Sequence, residues 1–134
     1  MGIEQYATET LRRAALAGGR VYPAEALKNA EAPFLFYTLE RAEPEETLHG
    51  DCALCLCRLR VHAVAAEYAV MTALARQARA ALRALAGTEG QGVRVERVHL
   101  SQTAPDLHES VVNVFCRVTE AEINYYDMED TDYE

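Results

Sequence analysis

From Leu54 to Val64 the chain alternates without a break, and its apolar residues then recur at the helical period. Cys55, Cys57, Leu59, Val61 and Ala63 share one side of the alternation. Leu56, Arg58, Arg60 and His62 share the other. Period two with one apolar side is the pattern of a half-buried antiparallel strand. Beyond Ala66-Glu67, the residues Tyr68, Met71, Leu74, Ala75, Ala78, Leu82 and Leu85 fall on one helical face. Arg76, Arg79 and Arg83 fall on the opposite face. The spacing predicts a helix of about 20 residues, ~30 Å long, packed on the strand's apolar side. Gly87 and Gly90-Gln91-Gly92 end it in a loop.

The rest of the chain fits around that unit. Ile3, Ala7, Leu11 and Ala14 make one apolar stripe, so residues 3–16 are expected to be helical and to stop at Gly18-Gly19. Val21-Tyr22-Pro23 is a short extended piece, and residues 24–30 are expected to form a turn or two of helix. Residues 34–41 are aromatic and branched, with Leu35, Tyr37 and Leu39 on one face and Phe34 and Phe36 on the other, as in a strand. Val93 and Val95 lie in one phase and Val98 and Leu100 in the other, which predicts a strand with a bulge. Residues 111–126 read as a last strand. Val112, Val114, Cys116 and Val118 are expected on one side, and Asn113, Phe115, Arg117 and Thr119 on the other. Sixteen extended residues would span ~50 Å, so this run must bend or project beyond the core.

These elements predict one α+β domain over residues 1–126, followed by an acidic, mobile tail over 127–134. The domain should be a two-layer sandwich. Its sheet should be mostly antiparallel, with four to five strands and two main helices on one face. A chain of 134 residues is long enough to bury such a core without disulfides or metal.

The net charge of −8 argues against sequence-specific nucleic-acid binding, which needs a basic footprint. The charge is also uneven. Residues 120–134 carry seven acids and no base, whereas residues 52–118 carry eight arginines and five acids. Such asymmetry permits complementary contact between copies. No run of about 18 apolar residues occurs, and Met1-Gly2-Ile3-Glu4-Gln5 has no basic start, so neither a membrane-spanning helix nor a secretion signal is expected.

Candidate chemistry is sparse. Cys52, Cys55 and Cys57 are close in sequence, but Cys55 and Cys57 sit two strand positions apart and Cys52 falls in the opposite phase. Zinc ligands gather at tight turns, usually in two pairs. Cys55, Cys57 and the distant Cys116 are therefore read as small core residues. His49, His62, His99 and His108 are scattered with no partnering motif. The glycines at 87–92 follow a helix, whereas a phosphate cradle opens one. No catalytic, cofactor or metal residues are expected. Candidate contact residues are another matter. Leu54, Leu56 and Phe115 are apolar positions assigned to the uncovered sheet face, rimmed by Arg58, Arg60 and Arg117. The Arg76, Arg79, Arg83 stripe reads either as a solvated face or as a contact for a neighbour's acids.

An ordered series of segments carries a family resemblance. Gly18-Gly19-Arg20-Val21-Tyr22-Pro23 follows the first helix, and Ala32-Pro33-Phe34-Leu35-Phe36-Tyr37 opens the aromatic strand. Leu48-His49-Gly50 lies in a loop, Leu59-Arg60-Val61-His62-Ala63 leads through Ala66-Glu67-Tyr68 into the long helix, and residues 111–118 form the late strand. In this order the chain resembles the tail-completion, or tail-terminator, proteins of long-tailed bacteriophages and prophages, from Leu11 to Tyr126. The resemblance implies a virion structural subunit without catalytic residues. It implies a ring, often hexameric, at the head-proximal end of the tail tube. The implied partners are further copies of the chain, the major tail tube protein and a head-side connector protein. The implied location is the head–tail junction of the virion, with assembly in the host cytoplasm. The cysteine-rich strand and the acidic tail depart from the family pattern. Two alternatives stand beside it: another head–tail connector or neck subunit, and a small-ligand-binding α+β regulatory domain.

Overall fold

The computed structural model describes residues 2–14, 20–24, 31–42, 54–102 and 104–128. Its elements run α1 (Ile3–Arg13), β1 (Val21–Pro23), β2 (Phe34–Ala42), β3 (Leu54–Ala65), α2 (Tyr68–Arg83), β4 (Glu89–Gly90), β5 (Val93–Ser101), β6 (Leu107–Glu109) and β7 (Val114–Asp127). The α+β class is as expected. The sheet is larger than expected, because three short strands join the four long ones: seven strands among the described residues, ordered β1-β2-β3-β7-β5-β4, with β6 also on β7. All pairings are antiparallel except β1 with β2. The turns expected at Gly18-Gly19 and over residues 25–30, the Leu48-His49-Gly50 loop, Cys52 and the tail beyond Met128 lie outside the described residues.

The alternation of β3 sets the layers. Cys57, Leu59, Val61 and Ala63 are buried, and α1 and α2 cover that side. Met71, Leu74, Ala75, Ala78, Leu82 and Leu85 supply the underside of α2, while Ile3, Ala7 and Leu11 supply that of α1. Each buried leucine or isoleucine contributes about 1.5–3 kcal/mol by leaving water. Two helical positions depart from the expected stripes. Ala14 lies past the end of α1 and is exposed, and Tyr68 stands at the edge of α2, 49% exposed. Tyr37 rises from β2 into the helical layer, and its hydroxyl donates to Glu4 Oε2 at 2.7 Å. The tyrosine thereby fastens α1 to the sheet.

The last strand is paired with neighbours along its length rather than projecting past the sheet. β7 runs down the middle of the sheet and pairs with β3 from Phe115 to Tyr126. Its other edge is divided. β5 takes residues 120–127 and β6 takes residues 114–116. A strand of this length stays satisfied because two neighbours share one flank, which leaves few orphaned backbone groups. The bulge expected in β5 occurs between Val95 and Arg97. It returns Val98 and Leu100 to the helical side on which Val95 lies.

The strand expected at 111–126 begins three residues late. Residues 110–113 instead turn the β6–β7 hairpin, with Asn113 at φ 54°. Asparagine tolerates this left-handed conformation better than most residues.

The phase expected for β7 is reversed. Phe115 lies across from Ala65, Arg117 from Ala63 and Thr119 from Val61, all on the helical side. Cys116 lies across from Val64 and Val118 from His62, on the open side. Cys116 is therefore not part of the helix-covered core, whereas Cys55 and Cys57 are.

Candidate subunit interface

The open face of the sheet carries three bands. Tyr22, Phe36, His62 and Val118 follow one another across β1, β2, β3 and β7. The Phe36 and His62 rings stack with centroids 4.1 Å apart, and Phe34 lies 6.2 Å from Phe36 and 6.1 Å from Tyr22. Val64 and Val118 are buried beside this aromatic cover, on the face opposite α1 and α2. Burial, helped by the nearby Arg60 charge, pushes the His62 pKa down. Cys116 Sγ lies 3.9 Å from His62 Nδ1, and burial followed by the Asp106 charge raises its pKa.

The second band is ionic. Arg58 meets Glu122 at 3.0 Å and Glu120 at 3.8 Å, and Arg60 meets Glu120 at 3.2 Å. β3 and β7 place these residues directly across from one another. The third band holds Leu54 and Leu56, with Tyr126 across from Leu54 and Arg94 over the Tyr126 ring at 4.9 Å. Leu54, Leu56, Arg58 and Arg60 thus occupy the face assigned to them. The two arginines already have carboxylate partners within the chain.

Phe115 and Arg117 do not join that face. Phe115 packs against the main core, with Tyr68 edge-on at 5.6 Å and His108 stacked at 4.6 Å. Arg117 grips Asp106 through two charge-assisted bonds of 2.9 Å, from Nε to Oδ1 and from Nη2 to Oδ2. Tyr68 donates to the same carboxylate at 2.9 Å, and Gln102 donates to it at 3.2 Å. The Arg117 bonds, with Tyr68 and Gln102 adding to them, hold the Asp106 pKa below the ordinary carboxylate range. The knot ties the connection before β6 to the start of α2.

Arg117 instead comes together with part of the helical arginine stripe. Arg76, Arg79 and Arg117 line a cleft of about 350 Å³ with Ala75, Gln102 and Thr119. Among the described residues neither Arg76 nor Arg79 has a hydrogen bond or ion pair. Arg83 lies one turn further along α2 and does not line the cleft. One helical turn before Arg76, on the same flank, Thr72 Oγ1 is buried without a hydrogen-bond partner among the described residues. Among the described residues, no three His, Cys, Asp or Glu gather as metal ligands would.

One exposed feature was not anticipated. Val111 and Val112, at the tip of the β6–β7 hairpin, are 88% and 63% exposed, and Leu107 at its base is 57% exposed. Their β-branched character made them look like strand interior. The available cue was the Ser110-Val111-Val112-Asn113 block, whose polar ends can bracket a four-residue turn.

No family model matches the chain, and no curated protein is significantly similar to it. The fold is similar to that of a chain in the virion of the native gene transfer agent (GTA) particle. The two chains share 16% identity with a TM-score of 0.65, and the match covers 91% of this chain and 93% of the other.

Proposed function

We propose that this chain is a phage-like virion structural protein, and more narrowly a tail-terminator subunit. In this reading copies assemble into a ring at the head-proximal end of the tail tube, touching the major tail protein on one side and a head-side connector on the other. The observation that carries the proposal is the shared architecture with a gene transfer agent virion chain over almost the full length of both. An apolar hairpin tip and an arginine-lined cleft, in which Arg76 and Arg79 have no partner among the described residues, add surfaces suited to contact between subunits. The order of segments that resembles the tail-completion family supplies the narrower role.

Negative-stain microscopy of the purified protein, alone and mixed with isolated tail tubes, tests this. Closed rings, or caps at one end of the tubes, are the expected result. A protein that stays monomeric and binds neither tubes nor capsids would refute the proposal.

A further inference from the structure

At the cleft beside α2, Arg117 is neutralised by Asp106, whereas Arg76 and Arg79 have no carboxylate partner among the described residues. Guanidinium favours planar carboxylates, which it can grip with two parallel bonds. The chain carries such groups in its last six residues: Glu129, Asp130, Asp132 and Glu134. We infer that the Arg76–Arg79 cleft receives the acidic C-terminal segment, residues 129–134, of a second copy. This inference rests on the self-assembling reading above and names the residues that meet.

Reach favours a second copy over the same one. The strand end is fixed where the Met128 amide donates to the Gly92 carbonyl at 2.8 Å. Thr119, which lines the cleft, lies nine residues back along β7, ~30 Å in an extended strand. Six further residues span at most ~21 Å. Residues 129–134 of the same copy would have to double back and would still stop short along the strand. A neighbour's tail has no such limit. A contact between the C-terminus of one copy and α2 of the next is also heterologous, the kind that closes rings.

Self-association is measured by sedimentation equilibrium of the full chain at 50 mM and 500 mM salt. Comparison proteins are a chain ending at Met128, the Arg76→Glu/Arg79→Glu variant, and that variant combined with Glu129→Lys, Asp130→Lys and Asp132→Lys. A few partly exposed ion pairs are together worth about tenfold in affinity. The truncated chain and the arginine variant should therefore associate about tenfold more weakly at low salt. The combined variant should recover, and high salt should level the differences. A synthetic peptide of residues 127–134 should bind the wild-type chain and not the arginine variant. Truncated protein that associates as well as wild type overturns the docking while leaving the ring standing. Tail protection that is independent of concentration would show that the tail folds onto its own copy, and also overturns it. Wild-type protein that never associates and ignores the peptide overturns both readings.

Discussion

Replacing Leu59 by alanine tests the two-sidedness of β3 at its middle. Leu59 is 0% exposed, and its neighbours in register on the helical side are Leu39 and Ala121. Ala121 is too small to swing into the space that the lost carbons would leave. Leucine truncations at closed sites cost about 2.7–5 kcal/mol, and ~3–4 kcal/mol is expected here because one flank is already minimal. For a chain of 134 residues the unfolding entropy is about 0.28 kcal/mol/K, so the melting temperature should fall by ~11–14 °C. Leu56→Ala removes the same atoms from the opposite face of the same strand. Leu56 is half-buried, lies across from Asn124, and borders an open cleft with Glu40, Arg41 and Arg58. Its loss leaves no closed cavity and should cost less than ~1 kcal/mol. Urea denaturation followed by circular dichroism, run at two protein concentrations, separates the two effects. A Leu56 loss that grows with concentration reports burial between copies, because assembly stabilises only the folded chain. Equal losses for the two variants at low concentration would refute the assignment of faces.

Three further outcomes follow from particular contacts. Asp106 has a lowered pKa in the folded chain, so its contribution is complete above the unfolded value near ~3.9 and drains away as pH falls through the folded one. Urea denaturation followed by circular dichroism across an acid pH series should therefore show a loss of stability below about pH 4 that Arg117→Ala largely removes. Burial raises the Cys57 pKa to about 12, so iodoacetamide at pH 8.5 should leave Cys57 unlabelled until denaturant is added, as read by residue-resolved mass spectrometry. A Cβ on Gly90 would come within 2.5 Å of the Tyr6 ring, which is held by a 2.6 Å bond from its hydroxyl to Thr88 Oγ1. Gly90→Ala should cost about 1–3 kcal/mol in thermal unfolding, and Tyr6→Leu in the same chain should relieve part of the loss.

Much of the fold was legible where a single period held. β3 and α2 each answer to one rule along their whole length, so their buried sides follow from spacing. The bulge in β5 was legible for the same reason, since a one-residue slip of the valines has few other causes. β7 misled because its two halves give opposite signals. Before Thr119 the alternating apolar residues are Val114, Cys116 and Val118, and after it they are Ala121, Ile123 and Tyr125. Without a bulge these sets lie on opposite faces, and only the second meets the helices. Cys116 and Val118 of the first set lie instead against His62, whose ring stacks on Phe36, side chains from strands far away in sequence. Weighing Ala121, Ile123 and Tyr125 would have fixed the phase. The aromatic cover itself depends on tertiary pairing that alternation cannot express.

That reversal changes where charged contact between copies should fall. On the open face, Arg58 and Arg60 sit opposite Glu122 and Glu120 and are already compensated. A neighbour's carboxylate arriving there would have to displace one already in place, and exchange of exposed partners gains little. On the helical side the balance differs. Moving Arg117 there brings a third guanidinium to the flank of α2, while Asp106 cancels only one positive charge. Among the described residues the surplus therefore sits at Arg76 and Arg79. In the proposed ring an acid-rich neighbour would gain most by docking at the α2 edge, which would leave the open face to apolar contact through Leu54 and Leu56. The two proposed contacts would then lie on different sides of the sheet, an arrangement that a head-to-tail assembly of copies can use.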